Sequence, residues 1–567
     1  MTRVLLLAAV LCAAAGAFTA ATMPPAHLRL RVDSPDGTIP GILHVHSNRS
    51  DGRSAPDDIA EAARRAGLKF LVFTDHGDAT RTPDPPMYRS GVLCLDGVEI
   101  STSGGHYIAI DMPRAPYPLA GEARDVVEDV KRLGGFGIAA HPDSPKLELR
   151  WREWGAPFDA IEVLNPDTSW RQWLAAPSWR PKLRLVEALF SYPIRPAESI
   201  ANLIQPVGVR YQWEALARRR RVVTIAGIDA HARLALRNGD PVDNRFSVPL
   251  PGYEASFRTL SVHVRPERAL TGDASADAAV IVRAIRGGHL YVAIDGAATP
   301  PSFELTATNA HGTVREGDEL AAGGPVRLHV RSNAPKEFTT TVWSGAKALA
   351  PERHEQDFSV DAPDGPGVYW VDIRATGQMR QAPWVTSNAI YIRDSTGDAA
   401  PPERPPATTS APLFDGRSAA GWRAEHDAAS LSALDLAPSA TGGVELRLRF
   451  GLAGGDPVAQ FAALAVDLPN GAASSDRLAF GVRGEQPMRI SVQLRSANAA
   501  RWQRSVYVDT FNRNHTIYFD DLTPVGATET WKPDLSQIST ILFVVDLTNT
   551  KPGTSGRVWI SAPALQK

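Results

Sequence analysis

The sequence of 567 residues has few cysteines, no long apolar run and no excess of charge of either sign. Its two cysteines, Cys12 and Cys94, exclude a disulfide-rich scaffold and a Cys-rich zinc module. No apolar run reaches the roughly 20 residues of a membrane span, which excludes a polytopic membrane protein. With 60 basic and 62 acidic residues the net charge is −2, so we expect no nucleic-acid partner.

The N-terminus is typical of an export signal. Arg3 supplies a positive charge, and the apolar stretch Val4–Phe18 follows it. Ala15-Gly16-Ala17 and Thr19-Ala20-Ala21 are candidate cleavage sites. The pattern predicts a signal peptide over residues 1–21, a periplasmic or secreted mature protein, and no membrane span after cleavage.

Short β-like runs alternate with amphipathic stretches from Pro40 to about Asp295, which predicts an α/β domain built from βα units. Residues 300–394 change to alternating strand-like runs that predict a small Ig-like β-sandwich. Residues 395–412 are rich in proline and small residues, which is typical of a linker. Residues 413–567 again predict an all-β domain.

Chemistry-bearing residues gather at the ends of the predicted strands between residues 41 and 231. A parallel barrel brings such strand ends to one face, where active sites are built. A buried Glu in the apolar segment Gly97–Ile100 is costly without a cation, so these residues together predict a metal cluster. The candidate ligands are six histidines and three carboxylates: His44, His46, Asp51, His76, Glu99, His106, His141, Asp229 and His231. Asp75 and Asn165 are expected to orient ligating imidazoles.

The motif order HxH…SDG, TDH, GxE, GH, AHP and GxDxH resembles the PHP superfamily, the polymerase and histidinol phosphatase group. The resemblance covers about residues 40–297. It implies a distorted (β/α)7 barrel over residues 36–297 that holds two to three divalent ions of Zn, Mn or Fe. The N-terminal signal and the β-domain at residues 300–394 resemble an exported branch of this superfamily that includes carbamate-ester hydrolases. More distantly, residues 413–567 resemble galactose-binding-like jelly rolls.

The same resemblance implies a distribution of the ligands over three metals. The first would be held by His44, His46, Glu99 and Asp229. Glu99 would bridge to a second, which is also held by His106 and His141. The third would be held by Asp51, His76 and His231.

Closely spaced divalent metals favour hydrolysis, because they lower the pKa of a bound water from about 16 to about 7. We therefore expect a metal-bridging hydroxide as the nucleophile, with Glu99 and Asp229 as catalytic residues. Arg49 and Arg233 could meet a phosphate or a developing oxyanion. The first hypothesis is a phosphoesterase that acts on a small-molecule ester.

Two alternatives remain open. A carboxyl- or carbamate-ester hydrolase would need an apolar pocket, and tryptophans of the irregular segment 143–208 could wall it: Trp151, Trp154, Trp170, Trp173 and Trp179. A non-catalytic glycan- or surface-binding protein would instead use aromatic residues of the last domain, with Trp502, Tyr507 and Trp559 as candidates.

Overall fold

The computed structural model describes residues 2–32, 36–206, 208–235, 244–375, 382–394, 404–439, 442–455, 459–526 and 530–567. The chain divides into two compact units. The first comprises Met1–Asp78, Thr82–Pro113 and Glu122–Ala400, and the second comprises Ala79–Arg81, Arg114–Gly121 and Pro401–Lys567. The first unit mixes helices and sheets, and the described part of the second is built from β-strands with short 3-10 turns.

The α-helices of the described residues all belong to the first unit. They are α1 (Thr2–Thr22), α2 (Pro56–Ala66), α3 (Ala123–Arg132), α4 (Pro166–Ala175), α5 (Trp179–Ser191), α6 (Pro196–Ala201), α7 (Arg210–Ala217), α8 (Tyr253–Phe257) and α9 (Ala274–Gly287). Short 3-10 turns span Asn244–Phe246, Phe519–Asp521 and Leu535–Gln537.

The strands up to residue 299 include those that enclose the candidate site. They are β1 (Leu28–Arg29), β2 (Ile39–Val45), β3 (Phe70–Phe73), β4 (Met87–Arg89), β5 (Val92–Asp96), β6 (Val98–Thr102), β7 (Gly105–Ile110), β8 (Phe136–Ala139), β9 (Ala160–Leu164), β10 (Val223–Ala230), β11 (Leu234–Ala235), β12 (Ser247–Val248), β13 (Ser261–Val264), β14 (Leu290–Ala293) and β15 (Ala298–Thr299).

A closed sheet forms the centre of the first unit. Its ring runs β2-β3-β5, continues through β6 to β7-β8-β9-β10, and returns to β2. Most neighbours in this ring are parallel, but β7 is antiparallel to both β6 and β8. Because β7 runs the other way, the residues at its start lie beside the carboxyl ends of the parallel strands. This reversal explains why His106 lies at the start of its strand, whereas His44 and Asp229 lie near the end of a parallel strand and His46, His76 and His141 follow one.

The regular alternation predicted from the sequence is only partly present. The strand-like runs predicted between residues 41 and 229 form the ring strands. Helix α2 is followed by Gly67, which adopts the left-handed conformation (φ 89°) and ends the helix. However, only α2, α3 and the group α4–α7 connect consecutive ring strands, so seven βα repeats are not observed. Helix α2 begins after Ala55, whose side chain provides no capping hydrogen bond.

Residues 300–394 share a sheet and a core with the closed ring. Their strands are β16 (Phe303–Asn309), β17 (Gly312–Arg315), β18 (Glu319–Ala321), β19 (Val326–Ser332), β20 (Thr339–Ser344), β21 (Lys347–Ala348), β22 (Asp357–Ala362), β23 (Gly367–Arg374), β24 (Val385–Ser387) and β25 (Ile390–Arg393). Four of them form the antiparallel sheet β17-β16-β19-β22, whereas β24 pairs with β14 and so continues the sheet of residues 261–293. The buried side chains of Trp384 and Leu305 belong to the same apolar cluster as those of the ring.

The second unit contains two antiparallel sheets with a common apolar core. Its strands are β26 (Ser410–Pro412), β27 (Trp422–His426), β28 (Leu431–Pro438), β29 (Val444–Gly451), β30 (Phe461–Asp467), β31 (Arg477–Gly484), β32 (Met488–Ser496), β33 (Arg501–Val508), β34 (Arg513–Tyr518), β35 (Thr523–Pro524), β36 (Ile538–Asp546) and β37 (Ser555–Gln566). One sheet has the order β28-β29-β37-β31-β34 with β26 beside β37, and the other has the order β27-β30-β36-β32-β33-β35.

The sequence predicts a signal peptide at the start of the first unit and a linker after it. Helix α1 continues to Thr22, so that Val4–Thr22 is long and apolar enough to cross a membrane, a criterion that signal sequences also meet. In the predicted linker, residues 395–403 lie outside the described residues. Residues 404–412 are exposed, but Ser410–Pro412 already forms β26 of the second unit.

We expect a chain that ends at residue 394 to fold, whereas a chain that ends at residue 297 should not. The shorter chain loses the β24 partner of β14 and exposes the apolar core that Trp384 and its neighbours cover. Soluble yield and cooperative thermal unfolding of the two truncated chains test this expectation. A soluble, cooperatively folded 1–297 chain would show that residues 300–394 form an independent domain.

Candidate metal centre

The structure brings all nine predicted ligand residues together at one end of the closed sheet. Their donor atoms form four overlapping groups in which all atoms lie within 4.8 Å of one another. The groups are His44, Glu99 and His141; His44, His46 and Asp229; His76, Glu99 and His106; and His46, Asp51, His76 and His231. The grouping differs in part from the distribution that the family resemblance implies, because His44 accompanies His141 and His76 accompanies His106.

Glu99 lies at the centre of this cluster. Its Oε1 atom is 2.8 Å from His106 Nδ1 and 2.8 Å from His141 Nε2. Its Oε2 atom faces three more imidazole nitrogens: His46 Nε2 at 3.1 Å, His44 Nε2 at 3.3 Å and His76 Nδ1 at 3.4 Å. One buried carboxylate is therefore shared by five histidines.

Two aspartates extend the cluster on either side of His46. Asp229 Oδ1 lies 3.3 Å from His46 Nε2 and 3.4 Å from His44 Nε2. Asp51 Oδ1 lies 3.2 Å from His231 Nε2 and 3.8 Å from His76 Nε2. The groups around Glu99 and Asp229 are largely buried, whereas His76 is exposed and Asp51 is half-buried. The cluster thus has a deep part and an outer part that solvent reaches.

The ring strands hold several ligands in unusual backbone conformations. His44, His141 and Asp229 have φ angles of 65°, 28° and 49°, in the left-handed region that non-glycine residues seldom adopt. The register of β2 with β3 shifts between Ile42 and Val45, and that of β10 with β2 shifts between Gly227 and Ala230. These bulges, rather than simple alternation along a strand, turn the side chains of His44 and Asp229 toward the cluster.

The imidazole nitrogens satisfy a test for metal ligation. His44 Nδ1 is 2.6 Å from Glu162 Oε1, and His141 Nδ1 is 3.1 Å from the carbonyl oxygen of Leu149. In each ring the Nε2 atom therefore faces the carboxylates, which is the usual arrangement of a ligating histidine. His44 Nε2 and both ring nitrogens of His46 are buried and make no hydrogen bond with the described residues. Three unsatisfied buried nitrogens beside carboxylates fit divalent cations.

The charges of the cluster favour positive charge between its carboxylates. Burial opposes ionisation of Glu99, but His44, His106 and His141 outweigh it and hold its pKa well below the ordinary value. Burial likewise lowers the pKa of His46, but Asp229 and Glu99 overcome this effect and raise it to about 10. The carboxylates are therefore ionised at neutral pH, and positive charge between them is strongly stabilised.

Glu162 is the most important residue that the sequence analysis missed. It is buried on β9, where Oε1 contacts His44 and Oε2 accepts hydrogen bonds from the backbone N–H of His141 (2.7 Å) and from Asn165 Nδ2 (3.0 Å). A Cβ atom at Gly227 would lie 1.7 Å from Glu162 Oε1, so only glycine at position 227 leaves room for this carboxylate. A Glu within the apolar run Ala160–Asn165 is the same signal that singled out Glu99.

The residues predicted to orient imidazoles act one step further away. Asn165 donates to Glu162 and caps α4 by accepting from Thr168 N (2.8 Å). Asp75 accepts from the backbone N–H and the hydroxyl of Ser47 (2.8 and 2.7 Å), and so braces the loop between His46 and Asp51. These bonds fix the segments that carry the ligands rather than the ligand rings themselves.

Two further residues hold ligand-bearing loops in place. The hydroxyl of Tyr253 lies 2.8 Å from the carbonyl oxygen of His46 and 3.1 Å from that of His231, which ties two loops together. Gln172 Nε2 donates to the backbone oxygen and the carboxylate of Asp143 (2.9 and 2.8 Å), two residues beyond His141. Helix α4 is thereby attached to the His141 loop.

The arginines predicted for oxyanion binding lie in different surroundings. Arg49 forms an ion pair with Asp84 and lies 3.8 Å from Asp96, so two carboxylates already balance its charge. Arg233 is half-buried, two residues beyond His231 and directly before β11. Arg171 on α4 was not singled out. Burial lowers its pKa, but the carboxylates of Asp167, Asp229 and Asp51 outweigh this effect and raise it. Arg171 is also paired with Asp167 through Nε and Nη2, so its charge, like that of Arg49, has a carboxylate partner.

The five tryptophans proposed as a pocket wall do not form one group. Trp151 is fully buried, stacked on Tyr107 at 5.3 Å, and packed edge-on against Phe158. Trp154 packs against the same phenylalanine, and Trp179 is exposed. Trp170 donates to Asp167 and Trp173 to the carbonyl oxygen of Leu203. Trp151 and Trp154 therefore pack against neighbouring aromatic rings and do not contribute to the predicted apolar wall.

The aromatic residues proposed for glycan binding are also partly covered. Trp502 is buried and its Nε1 donates to the carbonyl oxygen of Thr530 (3.2 Å). The guanidinium of Arg483 lies 4.0 Å from the ring centre of Trp559, and that of Arg513 lies 6.0 Å from the ring centre of Tyr507. Trp531 was not among the candidates, yet its side chain is exposed.

Comparisons with known proteins give limited similarity. No protein-family model matches the chain. An uncharacterised protein of Methanocaldococcus jannaschii is 28% identical over 141 residues, which is 22% of this chain and 80% of that protein. A family 11 carbohydrate-binding module of a Clostridium thermocellum cellulase has a TM-score of 0.24 at 16% identity, over 28% of this chain and 95% of that chain. An exo-β-agarase has a TM-score of 0.21 at 14% identity, over 27% of this chain and 24% of that chain. TM-scores this low show neither a shared fold nor a shared function.

Replacing Glu162 by Gln should lower the affinity for divalent metal by about 10–100-fold, because Gln cannot accept from His44, His141 and Asn165 together. Competition with a chromophoric zinc chelator measures the affinity. Glu214→Gln is the matched control, since Glu214 is a buried glutamate on α7 outside the cluster. Equal affinities for Glu162→Gln and the wild type would show that Glu162 does not position His44.

Proposed function

We propose that the chain is an exported, metal-dependent hydrolase of the PHP type, with a phosphate ester as the substrate class. The observation that carries the proposal is the sharing of the buried Glu99 carboxylate by five histidines beside Asp229. A structural role alone does not account for so many ionisable groups buried around one carboxylate. The closed sheet in which they lie is, in this proposal, the distorted (β/α)7 barrel of that family.

The donor sets divide the metals between a deep and an outer position. The deep ligands are His44, His46, Glu99, His141 and Asp229, with His106 beside Glu99. The outer ligands are Asp51, His76 and His231. Nitrogen and oxygen donors without thiolate suit Zn, Mn or Fe. When bound, such ions supply an acidified water and charge stabilisation at the attacked and leaving oxygens.

The protein's own residues perform the remaining tasks. Glu162 holds the ring of His44 so that Nε2 faces Glu99 and Asp229. Glu99 and Asp229 provide the negative charge that keeps cations in a buried site. The exposed face formed by His76 and the half-buried Asp51 and His231 is the side from which a substrate can approach.

A phosphate ester is favoured over a carboxyl or carbamate ester by the charges around the site. Arg171 is half-buried and paired with Asp167, and the charges of Asp229 and Asp51 also raise its pKa, so in this proposal its guanidinium attracts an anionic substrate group. The apolar wall that a neutral ester would need is weakened, because Trp151 and Trp154 pack against Phe158. The apolar helix α1 supports export, and glycan binding by the second unit remains a prediction.

The purified protein should retain at least two equivalents of divalent metal after exhaustive dialysis, and it should hydrolyse p-nitrophenyl phosphates in preference to phosphodiesters and carboxyl esters. Glu99→Gln removes one charge shared by five imidazoles and should abolish metal retention and nearly all turnover. The matched control Glu214→Gln should retain both. Less than one equivalent of metal, without any gain after reconstitution, would contradict the proposal.

Arg171→Ala should lower kcat/KM for a phosphate monoester by the roughly 1.5–3 kcal/mol of a charged hydrogen bond. Turnover of a neutral ester should change little, because that substrate offers no anionic oxygen to the guanidinium. Arg49→Ala is the contrasting variant, and a smaller effect is expected because both Asp84 and Asp96 lie beside Arg49, whereas Arg171 is paired with Asp167 of its own helix. A selective loss in Arg49→Ala, with Arg171→Ala unaffected, would assign the substrate phosphate to Arg49.

A further inference from the structure

Helix α5 presents an apolar surface that packing among the described residues leaves largely exposed. Among its 13 residues only Ser191 is buried. The side chains of Trp179 and Leu189 are 68% and 59% exposed, and Val186 and Phe190 are exposed as well. A large exposed apolar surface marks a site where a protein partner or a membrane binds.

The exposed apolar residues lie on one face of the helix. Positions 179, 186 and 190 are separated by seven and four residues, and 189 is adjacent, so their side chains form one stripe. Leu174 at the end of α4 and Ile194 after α5 are also exposed and close in sequence to the two ends of the helix. We define Trp179, Val186, Leu189 and Phe190 as the α5 face.

The charge of α5 indicates what this face binds. The helix carries the exposed cations Arg180, Lys182 and Arg184 against a single acidic residue, Glu187. Cations beside an exposed stripe of Trp, Leu and Phe are typical of helices that lie in the interface of an anionic membrane. A neutral protein surface would satisfy the apolar stripe, but it would not be complementary to this positive charge.

The position of α1 supports the same partner. The ring of Phe18 on α1 lies 5.5 Å from that of Phe190 in an edge-to-face contact. Helix α1 contains the segment Val4–Thr22, which is long and apolar enough to cross a bilayer. The α5 face therefore adjoins the part of the chain that enters the membrane during export, and loss of α1 would expose Phe190 further.

We propose that the α5 face is a membrane-docking surface that binds the headgroup region of an anionic phospholipid bilayer. Trp179, Leu189 and Phe190 enter the interface, and Lys182 and its basic neighbours contact the lipid phosphates. This inference does not depend on the hydrolase activity, since no residue of the α5 face belongs to the nine-residue cluster.

An environment-sensitive fluorophore on α5 tests the proposal in the full chain. Cys12→Ser leaves the buried Cys94 as the remaining native thiol, and Leu189→Cys is then labelled with an NBD group. Leu431→Cys is the matched control, because Leu431 is 71% exposed on β28 of the second unit. Because Phe18 of α1 contacts Phe190, both labels are also placed in a chain that begins at residue 22, after the predicted signal peptide, so that α1 cannot carry position 189 to the membrane.

With vesicles of phosphatidylcholine and phosphatidylglycerol, NBD at position 189 should shift to the blue and gain intensity, while NBD at 431 should not. Replacing Lys182 and Arg184 by Glu should remove this response, as should 1 M salt, where the Debye length falls to about 3 Å. Equal responses at 189 and 431 would overturn the proposal. A blue shift at 189 that grows with protein concentration in the absence of vesicles would also overturn it, because a second copy would then cover the face.

Discussion

A carboxylate is stable inside an apolar sheet only where positive charge surrounds it, and the carboxylate of Glu99 is 1% exposed. The five imidazoles around it come from β2, β7 and the segments that follow β2, β3 and β8. Glu99 can be satisfied only when the sheet closes and brings these segments to one end. Stabilising the Glu99 carboxylate therefore requires the whole ring of strands to close.

The ligand-bearing segments are held by bonds that lie outside the cluster. Glu162 joins His44 to the backbone of His141, Asp75 braces the loop after His46, and Tyr253 joins the loops of His46 and His231. Such bonds offset the strain of left-handed backbone at His44, His141 and Asp229, which costs about 1–3 kcal/mol at each position. Because Glu162, Asp75 and Tyr253 do not belong to the nine-residue cluster, their bonds fix the segments that carry its side chains independently of what the cluster binds.

Residues 300–394 and the excursion between β9 and β10 serve different purposes. The former complete the core of the first unit through β24 and Trp384, so they contribute to its stability. The excursion carries α4, attached to the His141 loop through Gln172, and α5, which exposes an apolar and basic surface. One insertion thus connects the candidate centre to a surface with the composition of a membrane-binding helix.

The sequence by itself determined the ring strands, because each is a short apolar run, and it singled out the titratable residues that meet at one end of the sheet. His44, Glu99 and Asp229 could be named from that local pattern alone. It could not determine that β7 is antiparallel, that bulges aim His44 and Asp229, or that Glu162 orients His44. Nor could it show that Asp84 pairs with Arg49, or that the charges of Asp229 and Asp51 act on Arg171 in addition to its partner Asp167. These features depend on contacts between residues far apart in the chain, and only the closed tertiary structure decides which charges and polar groups meet.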